Sequence, residues 1–215
     1  LAQASDEELR KLRGVRIAYV AQSAAASFNP AHTLLQQFAE TPVKHGVMTF
    51  AEAEVKAIEL YRSLDLPNPE SIGSRYPHQV SGGQLQRAMV AMAMSCDPDL
   101  IIFDEPTTAL DVTTQIEVLS SIKNAIKQHN TAAIYITHDL AVVAQISDRI
   151  MVLRYGNEVE TGLVGQIVQD PKEDYTRELL SVRNVRHDTM EHSDSDSTIL
   201  EVKNISASYG NGVRV

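Results

Sequence analysis

The stretch that decides the fold runs from Asp99 to Asp111 and reads Asp-Leu-Ile-Ile-Phe-Asp-Glu-Pro-Thr-Thr-Ala-Leu-Asp. Its apolar part, residues 100–103, is bounded by polar residues, a pattern typical of a fully buried strand in a parallel sheet. Two adjacent carboxylates, Asp104 and Glu105, follow this strand directly. Because open parallel sheets bind ligands at the carboxyl ends of their strands, both acids are predicted to face a ligand site. There one acid can orient hydrated magnesium and its neighbour can handle a water molecule.

A second motif, Ser81-Gly82-Gly83-Gln84, opens a long segment with helical periodicity. Ser81, with Gln84 three residues later, predicts a capping box at the start of that helix. Gly82 and Gly83 let backbone N–H groups approach an anion at the positive end of the helix dipole. The motif therefore predicts a helix N-terminus that faces phosphate.

These motifs together resemble the nucleotide-binding subunit of an ABC transporter. Ala109-Leu110-Asp111 matches the D-loop of that family, and His138 follows a further strand as the family's switch histidine does. Gln22, after the strand-like run 15–20, is identified as the Q-loop glutamine, although Ser23-Ala24 replaces the family's usual Asp-Pro. The order and spacing of the motifs match the family throughout.

The resemblance implies an α/β fold of the P-loop NTPase (RecA-like) type, with a parallel sheet and an α-helical subdomain at about residues 31–95. It implies ATP and Mg²⁺ as cofactors. We expect Glu105 to act as general base or to position the attacking water, with a pKa raised by adjacent carboxylate charge and partial burial. The implied site residues are Glu105, His138 and Gln22 for catalysis, Ser81, Gly82, Gly83, Gln84, Asp111 and Tyr209 for nucleotide binding, and Asp104 and Gln22 for Mg²⁺.

The predicted organisation is that of a truncated cassette. No Gly-x-x-x-x-Gly-Lys-Ser/Thr occurs in the 215 residues, so the Walker A loop that cradles phosphates is missing from them. We predict a partial ABC nucleotide-binding domain over 1–183, a solvated linker over 184–198, and the first strand of a second ABC domain over 199–215, where Tyr209 would stack on adenine. An edge strand that folds back from a C-terminal extension is the alternative for the last segment. The chain alone is expected to be inactive.

Composition narrows the functional classes. A net charge of −9 argues against nucleic acid as a partner, because nucleic-acid binding needs a basic face. No apolar run approaches the ~20 residues that span a bilayer. Cys96 is the single cysteine and is interpreted as a packing residue, which suits a reducing cytoplasm.

Three further stretches resemble the dipeptide/oligopeptide/nickel import branch: 27–30 (Ser-Phe-Asn-Pro), 76–78 (Tyr-Pro-His) and 174–180. The implied function is ATP hydrolysis that energises import of peptides or similar small solutes, at the cytoplasmic face of the cell membrane. The implied partners are a second ABC domain (in tandem or as a dimer), transmembrane permease subunits and, indirectly, an extracytoplasmic solute-binding protein. Two alternatives stay open: a soluble ABC ATPase without a membrane partner, and a non-catalytic interaction fragment.

Periodicity and turn chemistry predict the remaining elements. A helix over 49–64 is expected to bury Val55 and Ile58, and 132–137 is expected to be a buried strand. The run 23–30 is expected to be a loop. Other predicted elements are helices at 32–40, 112–129, 139–146, 163–168 and 175–180, and a hairpin of 149–153 with 158–160.

Overall fold

Two units make up the chain, Leu1–Leu180 and Ser181–Val215. The structure, a computed structural model, describes residues 3–108, 110–181, 208–209 and 213–214. The α-helices of residues 3–181 are α1 (Asp6–Leu12), α2 (Ala24–Ser27), α3 (Leu34–Lys44), α4 (Phe50–Ser63), α5 (Pro69–Ile72), α6 (Gly82–Met94), α7 (Val112–Gln128), α8 (Leu140–Ile146), α9 (Val164–Gln169) and α10 (Asp174–Ser181). The strands of these residues are β1 (Ile17–Val20), β2 (Leu100–Asp104), β3 (Ala132–Ile136), β4 (Arg149–Arg154) and β5 (Asn157–Leu163), and a 3₁₀ helix spans Pro77–Gln79.

β1, β2 and β3 form a parallel sheet in that order. Val20 pairs with Phe103, and Phe103 pairs with Tyr135. This register brings the carboxyl ends of all three strands to the same edge. Ile101 and Phe103 of β2 are fully buried, whereas Leu100 and Ile102 are half-buried. The prediction of a fully buried strand was therefore wrong for one of its two faces, because the sheet is covered completely on one side only. The sheet thus places the residues that follow β1, β2 and β3 side by side.

Capping boxes set where the helices between β1 and β2 begin. Thr33 caps α3 with Gln36, Thr49 caps α4 with Glu52, and Ser81 caps α6 with a partner three residues on. Each box satisfies backbone N–H groups that lack partners within the helix. The starts of α4 and α6 confirm the predictions. The prediction for 32–40 was too short at its carboxyl end, because α3 continues through Pro42 to Lys44.

The prediction that Val55 lies on the buried face of α4 was wrong. Val55 is 59% exposed, whereas the buried positions of α4 are Ala53, Ala57, Leu60 and Tyr61. Ile58 is half-buried. The helix was predicted correctly but its rotation was not, because two small alanines allow close packing where the larger valine was expected to bury more surface. The predicted loop at 23–30 also differs, since it contains the one-turn helix α2, capped by Ser23.

The prediction that β3 is buried was wrong as well. Its residues are mostly exposed, and the Ile134 and Ile136 side chains are each 49% exposed. β3 is an edge strand of the three-stranded sheet, with β2 as its partner. An apolar composition predicts a strand but does not predict whether both of its faces are covered.

The chain after α8 forms the predicted hairpin. Tyr155 and Gly156 connect β4 to β5 with φ values of +51° and +78°, the left-handed pair that a two-residue type I′ turn requires. The buried carboxylate of Glu160 accepts hydrogen bonds from the backbone N–H groups of Lys172 (3.0 Å) and Glu173 (3.2 Å). The bond from Lys172 is the largest cause of a Glu160 pKa lowered to about 2. These bonds fix the approach to α10.

In the second unit, β6 (Ser208–Tyr209) pairs antiparallel with β7 (Val213–Arg214). The predicted linker at 184–198 lies outside the described residues, and so does the start of the predicted strand at 199–207. The proposed division at 183 and 198 therefore stays a prediction. Among the helices described, none has the length and apolar character needed to cross a membrane.

Candidate functional site

The site forms where three parallel strands end. Gln22 lies two residues beyond β1, Glu105 follows β2 directly, and His138 lies two residues beyond β3. The strand register therefore brings together side chains that are 83 and 33 residues apart in sequence. This is the edge of a parallel sheet at which ligands bind.

Glu105 is the centre of the site because three side chains hydrogen-bond to its carboxylate. His138 Nδ1 lies 2.8 Å from Oε1 of Glu105. Gln22 Nε2 donates to Oε2 at 3.3 Å, and Thr108 Oγ1 donates to the same oxygen at 3.1 Å. The Glu105 side chain is 26% exposed, whereas that of His138 is 70% exposed. The carboxylate is thus held from both sides and stays accessible to solvent.

The backbone of Glu105 is strained. Its φ is +45°, in the left-handed region that residues with a Cβ seldom adopt. Its N–H continues the ladder between β2 and β3 by donating to the carbonyl of Ile136 at 2.9 Å. Residues held in this region are concentrated at functional sites, where the surrounding structure imposes the conformation. Here the strain turns the Glu105 side chain out of the sheet toward Gln22 and His138.

The predicted rise in the pKa of Glu105 was wrong. The hydrogen bond with His138, followed by that from Thr108, holds the pKa of Glu105 below its ordinary value, and both outweigh desolvation. In turn, Glu105 raises the pKa of His138. An imidazolium next to a carboxylate favours the charged forms of both groups. The structure therefore places an ionised carboxylate, and not a protonated acid, at the end of β2 at neutral pH.

Asp104 ends β2 and has a separate partner. The phenol of Tyr19, on β1, donates a hydrogen bond of 2.6 Å to Oδ2 of Asp104. This contact raises the pKa of Tyr19. Across the described ranges, no three His, Cys, Asp or Glu side chains cluster in a way that could hold a metal ion. The Asp104 carboxylate and the amide oxygen of Gln22, whose nitrogen donates to Glu105, nevertheless have the chemistry that suits Mg²⁺, which keeps several waters and takes further oxygens from phosphate groups.

The N-terminus of α6 forms a second part of the candidate site. Ser81 N–H donates to Oε1 of Gln84 at 3.1 Å, and Gln84 N–H donates to Oγ of Ser81 at 3.3 Å. Gly83 is buried against α7, since a Cβ added there would lie 2.5 Å from Cγ2 of Thr114. Gly82 is open enough that an added Cβ would make only an ordinary contact with Leu110. Gly83 therefore serves close helix packing.

Asp111 caps α7 and lies next to this packing contact. Its Oδ1 accepts from the N–H of Thr114 at 3.0 Å, and its Oδ2 accepts from the hydroxyl of the same residue at 2.7 Å. The backbone bond is the largest cause of the lowered pKa of Asp111. Thr114 thus joins the start of α7 to the start of α6 through Gly83. Ala109, the first residue of the predicted D-loop, lies outside the described residues.

The structure groups the predicted site residues into two sets. Gln22, Glu105 and His138 meet at the strand ends, and Ser81, Gly82, Gly83, Gln84 and Asp111 lie at the starts of α6 and α7. Tyr209 lies in β6, and its role in binding adenine stays a prediction. Sequence reasoning missed Tyr19, Thr108 and Thr114. Thr108 and Thr114 are three residues beyond Glu105 and Asp111, a spacing that favours a side-chain hydrogen bond, but nothing in the sequence pairs Tyr19 with Asp104.

A parallel sheet with a carboxylate pair, a glutamine and a histidine at its strand ends is the arrangement expected of a P-loop NTPase cassette, and solved ABC ATPase cassettes share the fold of this chain. Residues 2–108 match the family described as ABC transporter, and the chain belongs to that family. Both the predicted fold class and the predicted family are thereby confirmed.

Individual proteins support the same placement. The chain is 45% identical over 181 residues to the glutathione import ATP-binding protein GsiA of Shigella boydii serotype 4, and 44% identical to that of Salmonella typhi. Each alignment covers 84% of this chain, and the chain spans 29% of the length of these relatives. Among solved structures, the dimeric bacterial ABC transporter cassette MJ0796 matches with a TM-score of 0.64 and 28% identity over 75% of this chain and 68% of that one. A post-hydrolysis state of MJ0796 bound to ADP and Pi matches with the same TM-score.

Proposed function

We propose that this chain belongs to an ATP-binding and ATP-hydrolysing subunit that energises ABC-type import of peptides or similar small solutes. The observation that carries the proposal is the convergence of Gln22, Glu105 and His138 at the ends of three parallel strands. Phosphoryl transfer needs groups that position the attacking water and stabilise charge on the γ-phosphate, rather than covalent chemistry by the protein. These three side chains supply such groups within one hydrogen-bonded cluster.

Glu105 takes the central role in the proposed mechanism. Its ionised carboxylate accepts a hydrogen bond from the attacking water and orients that water toward the γ-phosphate. Because its pKa is lowered, the carboxylate is a weak proton acceptor, so positioning the water is its main contribution. His138 has a raised pKa and can present positive charge to the phosphate oxygens. Gln22, in the segment that follows β1, is proposed to contact both the attacking water and the metal ion.

Asp104 and Gln22 are the residues that would hold Mg²⁺. When bound, the ion would neutralise negative charge on the phosphate oxygens. Asp104 comes from the rigid central strand, so its carboxylate is placed by the sheet. The neighbouring Glu105 is turned away by its left-handed backbone, and this separates the metal ligand from the residue that orients water.

The second set of residues serves a nucleotide held by another domain. Ser81, Gly82, Gly83 and Gln84 present backbone N–H groups at the N-terminus of α6, where an anion is favoured. In the proposed assembly this end faces the phosphate of a nucleotide on the opposite ABC domain, and Asp111 contacts that domain. Tyr209 is proposed to stack on the adenine of the domain that would begin near residue 199. The dimeric state of the cassette MJ0796 supports such pairing.

The import assignment rests on the relatives. The curated relatives reported above are named as glutathione import ATP-binding proteins, and glutathione is a small peptide. We infer that the cargo here is a peptide or a similar small solute. The further partners are transmembrane permease subunits and, through them, a solute-binding protein outside the membrane, with this subunit on the cytoplasmic face. Nucleic acid is not among the proposed partners, because the chain carries a net charge of −9.

The test uses a hybrid in which the phosphate-binding segment of a related cassette precedes residue 1. Glu105→Gln in this hybrid should lower ATP hydrolysis by about 10²-fold or more, because the neutral amide has one accepting oxygen where the carboxylate has two and therefore orients the attacking water poorly. The same variant should retain bound ATP in a filter-binding assay. Glu158→Gln, at an exposed position of β5, is the matched control and should leave both readouts unchanged. Undiminished hydrolysis by the Glu105→Gln hybrid would contradict the proposed role.

A further inference from the structure

Tyr19 is a residue outside the nucleotide-binding motifs that contacts their metal ligand. It lies on β1 directly opposite Ile102, and Asp104 is two residues further along β2 on the same face of the sheet. Its phenol oxygen lies 2.6 Å from Oδ2 of Asp104. Such a diagonal pair on neighbouring strands is within reach only of a long side chain.

The contact fixes one oxygen of Asp104 and leaves the other available. Within the described ranges, the bond from Tyr19 is the hydrogen bond that the Asp104 carboxylate accepts, and it engages Oδ2. The backbone of Asp104 is fixed by pairing with Ile136 on β3. With both the backbone and Oδ2 fixed, Oδ1 has a defined direction at the end of β2. A carboxylate that is already oriented loses less side-chain entropy when it binds a cation.

We propose that Tyr19 is a positioning residue that holds Asp104 ready to ligate a divalent cation through Oδ1. This inference rests on the proposed role of Asp104 in binding Mg²⁺. Partners that hydrogen-bond to a ligating carboxylate set its orientation, and their loss weakens metal affinity about 10–100-fold in known sites. Tyr19 is 58% exposed, so the lower end of that range applies here.

A packing role for Tyr19 makes a different prediction. If the ring only covered the sheet, Tyr19→Phe would keep its contacts and change nothing. If the hydroxyl orients Asp104, Tyr19→Phe keeps the fold and weakens the metal site. Because the ring is more than half exposed, the substitution of an isosteric side chain leaves the core unchanged.

The experiment is a titration of the ¹⁵N-labelled 215-residue chain with Mn²⁺ alone, an ion that shares the oxygen ligands of Mg²⁺. Paramagnetic broadening of the amide resonances of 103–105 reports occupancy at Asp104. Tyr19→Phe should raise the Mn²⁺ concentration for half-broadening about tenfold, with an otherwise unchanged amide spectrum. Tyr76→Phe, at a 39% exposed tyrosine, is the matched control and should not shift it.

Asp104→Asn separates the inference from the proposal beneath it. If Asp104→Asn abolishes the broadening but Tyr19→Phe gives the same Mn²⁺ titration curve as the unmodified chain, the role of Tyr19 is refuted and the metal site is supported. The positioning role of Tyr19 would also be refuted if Tyr19→Phe and Tyr76→Phe changed the Mn²⁺ concentration for half-broadening equally. If Asp104→Asn leaves the broadening unchanged, the metal site itself is wrong and the inference fails with it.

Discussion

Replacing Gly83 with alanine tests how the start of α6 is held. A Cβ at this position would lie 2.5 Å from Cγ2 of Thr114, well inside van der Waals contact. Thr114 cannot turn away without cost, because its hydroxyl donates to Oδ2 of Asp111 at 2.7 Å in the cap of α7. We therefore expect Gly83→Ala to force the two helix starts apart.

The magnitude follows from two opposing effects. Overpacking a fitted contact costs about 1–3 kcal/mol. Alanine in place of a helical glycine raises the free energy of unfolding by about 0.5–1 kcal/mol, because it lowers the backbone entropy of the unfolded chain. The middle of the two ranges gives a net loss of about 1 kcal/mol in the free energy of unfolding, and their extremes give at most about 2.5 kcal/mol. With a urea slope of about 2 kcal/mol/M, the unfolding midpoint should fall by roughly 0.5 M.

Two variants make the test specific. Gly165 is the second residue of α9, as Gly83 is of α6, but an added Cβ there meets nothing within 4 Å. Gly165→Ala should therefore raise the free energy of unfolding by up to about 1 kcal/mol. Thr114→Ser removes Cγ2 and keeps the hydroxyl, so adding it to Gly83→Ala should restore most of the lost stability in a double-mutant cycle. The reasoning is refuted if Gly83→Ala alone is as stable as the unmodified chain, or if Thr114→Ser restores nothing.

The ion pair of Glu105 and His138 should stabilise the fold fully between pH 4.5 and pH 6.5, the ordinary pKa values of the two groups. Below this interval the stabilisation is lost as pH falls through the lowered pKa of Glu105, and above it the stabilisation is lost as pH rises through the raised pKa of His138. Urea midpoints of His138→Gln against the unmodified chain, measured from pH 3 to 9, should differ most within that interval, and a difference independent of pH would contradict the pairing. Val55→Ala should change the free energy of unfolding by less than about 0.5 kcal/mol, whereas Leu60→Ala should lower it by about 2–5 kcal/mol. Equal shifts in the melting temperature of the two variants would show that Val55 is buried as the sequence predicted. The 215-residue chain without a Walker A loop should show negligible ATP hydrolysis and weak nucleotide binding, and robust turnover by purified protein would disprove this expectation.

Local chemistry explains the parts of the fold that were predictable. The starts of α4 and α6 follow from capping boxes, whose partners are three residues apart and need no distant contact. The hairpin after Arg154 follows from a turn that needs two left-handed residues. The strand that ends at Asp104 follows from an apolar run bounded by polar residues. The same strand-end reasoning predicted that Glu105 and His138 would share a site, as the structure places them.

The parts that failed depend on neighbours far away in sequence. Val55 is exposed because α4 turns its alanines toward the core, and the relative size of side chains does not reveal that rotation. β3 is exposed because its two faces are left largely uncovered, which its composition cannot tell. The pKa of Glu105 is lowered because His138, 33 residues away, outweighs desolvation.

The sequence by itself determined the longer helices and strands, where the helices α4 and α6 begin, and the family to which the chain belongs, because caps, turns and motif spacing act over a few residues. Only the tertiary structure decided which faces are covered, what charge state Glu105 favours, and that Tyr19 contacts Asp104. Those properties depend on electrostatics and packing across strands that the chain brings together from positions up to 85 residues apart.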